Sequence, residues 1–410
     1  MRIIILLSFF AAFSPVSATA VVAETGAMTL EGVFESIRVS NPELSALRGK
    51  ITMLEASILK ASAYPNPSFE TEQSQPDTGQ SREMRLTQPF VLTNRRSLAK
   101  GVARSQLDAF KREISAKETA LIAAAKKGYF AFRLAAERVR FEESRRIFTL
   151  NVLNKVQVRL MVGDARNVDV ARANVELEQT RFSLEAAKVR MLLARAILNR
   201  TMGRRPDEPL SFPADDQSVL QPPEGGRIYS HYFAEALANR RDIQAAGLRR
   251  QAAEFTLRLE RSRRLPDLAV GFALSREDDV DFNKFILGIE LPIWYRNRGE
   301  IKSAQAEIGV RDEEKRGIER TVSYEVYSSW LGRNLARTRV SAMYKNVLAV
   351  DELREINSRD YLSGKIDLTA YYEGNRIFLE QNLNYLDALQ EYHDKDVELE
   401  QVLSTSLRTE

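Results

Sequence analysis

Cysteine is absent from the 410 residues. That removes disulfides, thiolate metal sites, a cysteine nucleophile and a lipid-modified N-terminal cysteine. Histidine is nearly absent too: His231 and His393 are the only two, too few for an imidazole metal cluster. After the N-terminal segment no apolar run reaches 18 residues, so a membrane-spanning helix is excluded and any membrane part must be built from β-strands. No Ser–His–Asp set and no glycine-rich phosphate loop is visible. Glu313-Glu314 and Asp278-Asp279 are paired carboxylates. Adjacent residues on a helix diverge in direction, however, and those in a loop are solvated. An enzyme is therefore not expected, and neither cofactor nor resident metal. The net charge is only +4, with a pI near 9.1. The excess is spread along helices and reads as solvated faces, without a nucleic-acid patch; attraction to anionic lipid or an acidic partner is the alternative.

What is present begins with Met1–Ala20. Arg2 precedes an apolar run, Ile3–Phe13, and small residues ending Ala18-Thr19-Ala20. This is the pattern of a signal peptide for export, residues 1–20, with a retained N-terminal anchor as the alternative.

Leu265–Gly299 differs from everything around it. Leu268, Val270, Phe272 and Leu274 alternate with Ala269, Gly271 and Ala273; Phe285, Leu287, Ile289 and Leu291 alternate with Lys284, Ile286, Gly288 and Glu290. A period of two marks strands with two unlike faces. Pro266 and Pro292 bound the segment, where a missing N–H is tolerated. A weaker copy lies about 200 residues earlier. Pro67 matches Pro266, Gln88-Pro89-Phe90 matches Leu291-Pro292-Ile293, and Asn94 matches Asn297. In the copy Met84 and Leu86 alternate with Arg85 and Thr87, and the turn falls around Pro76-Asp77-Thr78-Gly79. An internal duplication of about 200 residues frames the chain.

The rest reads as helix. Thr29 caps a short helix that Asn41-Pro42 ends, and a second runs to about Ala63. From Arg95 to Leu160 there is no proline, and apolar residues step by three, four or seven through Leu107, Phe110, Ile114, Leu121, Ala125 and Tyr129. A helix of about 65 residues spans roughly 100 Å, which suits a rod or tube. A break at 162–167 precedes a helix capped by Asn167 that returns to Met202. The proline-rich stretch 203–228 separates the halves. The second half, 229–410, repeats the first, 21–202: a helix broken near Asn239, a β-hairpin at 267–292 matching that at 67–92, a long helix, a tip at 362–367, and a last helix capped by Asp367. Gly163 and Gly364 lie 201 positions apart. The fold class is mainly α with a small β part: long antiparallel helical hairpins plus two β-hairpins. Four strands with free edges cannot stand alone, and closing them with copies of the chain makes a barrel.

Three local motifs sharpen this plan: Val162-Gly163 with Asp169-Val170 and Ala173; Leu198-Asn199-Arg200-Thr201-Met202-Gly203-Arg204-Arg205-Pro206; and Leu291-Pro292-Ile293-Trp294 with Arg296-Asn297-Arg298-Gly299. With them the chain resembles the TolC family of outer-membrane efflux proteins over almost all its length. The third motif resembles the family's heavy-metal (CzcC-like) branch. The resemblance implies a homotrimer whose transmembrane β-barrel sits in the outer-membrane lipid of a Gram-negative bacterium and whose helical α-barrel crosses the periplasm. It implies a passive exit duct for small molecules or metal ions. The duct is opened by a periplasmic adaptor at the helical tips, here Val162, Gly163, Asp164, Ser363, Gly364 and Lys365. An inner-membrane pump of the resistance-nodulation-division (RND) class energises it.

It also implies a periplasmic gate. Tyr361 matches the family's gate tyrosine, Asp169 the carboxylate bonded to it, and Glu373 an acidic ring on the pore wall. The gate-arginine position holds Ile366 beside Lys365, and a second acidic position holds Ala370. Other readings of the same residues are Asp169 as a helix-dipole carboxylate, Tyr361 as interhelical packing, and Trp294-Tyr295 as corner packing or an interfacial anchor. For the whole chain, the alternative is a secreted coiled-coil scaffold without channel activity.

Overall fold

The structure, a computed structural model, describes residues 28–74, 81–212, 217–223, 225–277 and 280–405. The 1–20 leader, the Pro76–Gly79 turn and Asp278-Asp279 lie outside these residues. The elements are α1 (Leu30–Ser40), α2 (Pro42–Ser62), β1 (Ser68–Ser74), β2 (Ser81–Phe90), α3 (Arg95–Met161), α4 (Asn167–Met202), a 3₁₀ turn (Gln217–Leu220), α5 (Tyr229–Asn239), α6 (Arg241–Ser262), β3 (Leu268–Glu277), β4 (Val280–Ile289), α7 (Arg298–Leu362) and α8 (Leu368–Leu403). At 67 and 65 residues, α3 and α7 are each about 100 Å long.

Helix ends follow the local chemistry. Thr29 Oγ1 accepts from the Gly32 N–H. Asn41 ends α1 and starts α2, its Oδ1 accepting from the N–H groups of Glu43 and Leu44 while Pro42 sits at the first helical position, where no N–H is needed. Asp367 caps α8 through the Ala370 N–H. Asn167 is already helical; the cap of α4 is Arg166.

The short helices meet end to end. Asn41 Nδ2 donates to the Thr201 carbonyl at the foot of α4, and Gly203, at φ +78°, lies so close that an added Cβ would meet the Ser40 carbonyl at 2.8 Å. In the second half, Arg240 Nη1 donates to the Val402 carbonyl, and Ser404 takes a left-handed φ of 55° after α8. So α4 hands over to α2, and α8 to α6. The continuous α3 packs on both pairs, and α7 flanks the second. The result is one layer ordered α4/α2, α3, α8/α6, α7, with α4/α2 and α7 as its flanks. The largest core lies at mid-length, where α1 and the 3₁₀ turn cover the layer through Ile37, Leu44, Tyr129, Leu198, Met202, Val340 and Leu389.

The four strands form one antiparallel sheet in the order β1-β2-β3-β4. Its register places Phe69, Leu86, Phe272 and Phe285 in one row across all four strands, each at least half exposed. Leu274, Leu287, Ile289 and Phe90 share that face and are also exposed. The opposite face is charged. Lys284 Nζ lies 3.1 Å and Arg85 Nη2 2.5 Å from the Glu83 carboxylate, with Glu70 and Glu277 at 3.9 and 3.7 Å from the same two cations.

Candidate functional site

The end of the layer remote from the sheet gathers the residues singled out above. Both long helices end in the same reversal. In the first, the Asp164 N–H donates to the Arg159 carbonyl (2.8 Å) and the Gly163 N–H to Leu160 (3.0 Å). In the second, Lys365 donates to Asp360 (2.9 Å) and Gly364 to Tyr361 (3.1 Å). This is the Schellman pattern, which needs a left-handed residue at the turn. Gly163 and Gly364 supply it at φ +82° and +74°. Val162, Gly163, Asp164, Ser363, Gly364 and Lys365 are all exposed. The ion pairs across the two turns are reversed in sense: Arg159 on α3 holds Asp164 at 2.8 Å, whereas Asp360 on α7 faces Lys365 at 3.5 Å. Between the tips lies a hollow of about 610 Å³ bordered by Arg159, Asp164, Tyr361, Ser363 and Gly364.

Tyr361 is buried and stacks on Tyr371 of α8, ring centroids 4.5 Å apart and planes 19° apart. Val152 and Val156 of α3 complete the cluster, with Ile366 against it, and the Arg159 guanidinium lies 5.7 Å from the Tyr361 ring. Asp169 does not join Tyr361 within the chain. Its carboxylate accepts from the Arg166 backbone N–H at 3.0 Å and from the Arg166 guanidinium at 3.3 Å. A carboxylate three residues into a helix reaches its own N-terminus before it reaches a neighbour. These bonds, the backbone one first, hold the Asp169 carboxyl below its ordinary range. The implied Asp169–Tyr361 bond is thus corrected to a local helix-start contact.

Glu373 is exposed and pairs with Arg376 one turn on, at 2.5 Å. It borders a hollow of about 770 Å³ between α4 and α8, floored by α3, with Arg145, Arg172, Glu176 and Tyr372. Arg172 reaches from α4 to Thr369 of α8 at 3.0 Å, and Arg145 holds Glu176 at 3.0 Å. Sequence reading missed these cross-helix arginines and the Tyr371-Tyr372 pair. The adjacent tyrosines were a visible signal; which helix each arginine would reach was not. Burial raises the pKa of both tyrosine hydroxyls.

Elsewhere, Glu313 and Glu314 pair separately with Arg316 and Arg311. Among the described residues, no three His, Cys, Asp or Glu side chains cluster as a metal site would require. No described helix is long and apolar enough to cross a membrane. Trp294 is 98% exposed, which overturns corner packing for it. Tyr295 packs locally, its hydroxyl accepting from the Gly299 N–H at 2.9 Å and donating to Glu300 at 2.5 Å.

Comparison with known proteins agrees with this architecture. Residues 233–405 match the family model described as outer membrane efflux protein. The cobalt-zinc-cadmium resistance protein CzcC of Cupriavidus metallidurans is 21% identical over 384 residues, covering 92% of this chain and 90% of CzcC. Solved structures of CusC (TM-score 0.75, 16% identity, 92% of both chains) and of the open-state Neisseria gonorrhoeae MtrE outer membrane channel (TM-score 0.75, 16% identity, 93% and 90%) share the fold. The second half of the chain thus matches the outer membrane efflux protein family, and the chain as a whole has the fold of outer-membrane efflux channels.

Proposed function

We propose that three copies of the chain close into a duct that carries divalent metal cations from the periplasm to the exterior, as the outer component of a tripartite RND-type system. One observation carries the assembly. The sheet and the helix layer are both open, and their free flanks coincide: β1 and α2/α4 on one side, β4 and α7 on the other. Those flanks carry exposed apolar rows at helical spacing, Val175, Phe182, Val189 and Leu193 on α4, and Tyr324, Tyr327, Leu331 and Leu335 on α7. Joining β1 of one copy to β4 of the next removes both sheet edges. It also turns the Phe69–Leu86–Phe272–Phe285 face to lipid and the Glu83 network to the lumen. A water-soluble scaffold would leave that face exposed, at a cost on the order of 1 kcal/mol per half-exposed side chain.

The remaining roles follow from the same reading. Residues 1–20 direct export and are removed. The two halves, 21–202 and 229–410, arose by duplication around the linker 203–228. The tips around Gly163 and Gly364 dock a periplasmic adaptor, and an inner-membrane pump drives transport. The Tyr361–Tyr371 stack holds the periplasmic end narrow, and Glu373 of each copy lines the pore. The metal cargo is supported by the CzcC similarity over nine-tenths of the chain and by the acidic excess of the inner sheet face.

Light scattering of detergent-extracted protein should give three chains' mass, and planar-bilayer recordings a cation preference that Glu373→Ala reduces. A soluble monomer would overturn the assembly; unchanged selectivity would remove Glu373 from the pore.

A further inference from the structure

At the foot of the sheet, where α6 passes into β3 and β4 into α7, lies a hollow of about 550 Å³. Arg261, Arg264 and Arg296 line it, together with Leu265, Leu291 and Ile293. Many basic side chains of this protein are paired with carboxylates. Among the described residues, none pairs with these three. Their neighbour Arg263 is neutralised by Glu260 at 2.9 Å, so the unpaired charge belongs to this hollow.

The fold does not require that charge. In the first half, the positions matching Arg261, Arg264 and Arg296 hold Ser62, Pro65 and Thr93. There the nearby arginines turn inward: Arg96 donates to the Ser62 carbonyl and lies 3.2 Å over the Tyr64 ring. The backbone presenting the three arginines is pinned. Arg95 binds the Ser262 and Leu265 carbonyls and Asp267, and Asn297, at a left-handed φ of 54°, donates to the Glu260 carbonyl.

The surroundings name the ligand. Leu291 continues the alternation of Phe285, Leu287 and Ile289, so the hollow lies at the lower rim of the sheet's apolar face. Trp294 stands 98% exposed beside it, as tryptophan does at the headgroup level of a bilayer. Guanidinium groups bind phosphate oxygens through paired N–H donors, and they tolerate partial desolvation better than ammonium does.

We propose that Arg261, Arg264 and Arg296, with Trp294 at the rim, hold the phosphate headgroup of an anionic phospholipid in the leaflet nearer the helices. The proposal rests on the barrel reading. It adds a lipid-selective site that sets the depth of the barrel and is separate from the duct.

The test is native mass spectrometry of the detergent-purified protein, titrated with phosphatidylglycerol and phosphatidylcholine of identical short chains. Phosphatidylglycerol should bind roughly ten-fold tighter. In R261Q/R264Q/R296Q that preference should vanish while phosphatidylcholine binding stays. Trp294→Ala should weaken both lipids alike, and millimolar inorganic phosphate should leave bound phosphatidylglycerol in place. Equal binding of the two lipids to the wild type overturns the proposal without any variant. Displacement by inorganic phosphate also overturns it, assigning the hollow to free anions. Should the triple variant fail to assemble, R264Q alone should lose about three-fold in phosphatidylglycerol affinity, and no loss counts against the site. A protein that is soluble without detergent and binds neither lipid sinks the barrel reading itself, a result distinct from equal binding of both.

Discussion

Tyr361, at the end of α7, packs against both α3 and α8, and its ring does most of this work. Phenylalanine keeps the stack on Tyr371, so Tyr361→Phe should leave the periplasmic end closed. Tyr361→Ala deletes a buried ring, at a cost of about 3–5 kcal/mol. It should raise amide exchange along residues 355–375 and the frequency of large-conductance openings. If Tyr361→Phe opens the channel as far as Tyr361→Ala, the hydroxyl is the latch and the stack is not. His393 invites a second test. Its ring stacks on Phe130 at 4.0 Å, and Nε2–H donates to the Val219 carbonyl. Burial lowers its pKa, outweighing that carbonyl and the nearby Asp394 and Asp396, with Lys126 acting in the same sense as burial. The folded protein therefore holds this imidazole neutral while the unfolded chain binds a proton. Stability is full above the ordinary value of about 6.5 and falls as pH drops below it. His393→Phe should flatten the thermal midpoint between pH 7 and about pH 5. It should also lower the plateau by about 1–3 kcal/mol for the orphaned Val219 carbonyl.

At the scale of elements, the two tips are the most constrained turns. A β-branched residue at φ near +80° costs about 1–2 kcal/mol, a small part of the roughly 5–15 kcal/mol by which folded proteins are stable. Gly163→Val and Gly364→Val should therefore leave trimers in the membrane yet abolish metal export, measured as growth in a metal-challenged deletion strain. Loss of the trimer would make the glycines purely structural. These turns were legible in the sequence because glycine there has a backbone reason that no neighbour can replace. The strands were legible for a similar reason: Phe272 and Phe285 mark the apolar face by parity alone. The partner of Asp169 was not legible. The sequence supplies the carboxylate, while the competition between its own helix start and a neighbouring ring is settled by packing. Asn167 was misread as the cap because asparagine is a good cap anywhere, and only the backbone shows that the helix has already begun. Trp294 stayed open between packing and an interfacial anchor because a proline corner and an exposed rim look alike in one dimension; its 98% exposure removes the first.

For the whole molecule, the open flanks tie the proposed duct to assembly. Phe182 on α4 and Leu335 on α7 are 76% and 70% exposed, more than a lone chain should leave in water along so regular a row. Phe182→Asp or Leu335→Asp buries a charge at the proposed seam and should shift detergent-extracted protein from trimer to monomer by light scattering. The same change on the solvated side of α3, such as Lys111→Asp, should not. A retained trimer in both seam variants would place the contact elsewhere.

The end-to-end meeting of α4 with α2, and of α8 with α6, also has a mechanical meaning. Beside two unbroken struts of about 100 Å, the wall carries two jointed ones. Few hydrogen bonds cross the joints, among them Asn41 to Thr201 and Arg240 to Val402, and apolar packing of Leu44 on Leu198 and Met202, and of Ile243 with Leu399 and Val402, seats them. Torque applied at the tips can swing the lower segments about these hinges without breaking a turn of helix. The upper segments are tied to the head of α3, where Arg95 binds the Ser262 and Leu265 carbonyls and Arg96 the Ser62 carbonyl, so motion at one end need not loosen the other.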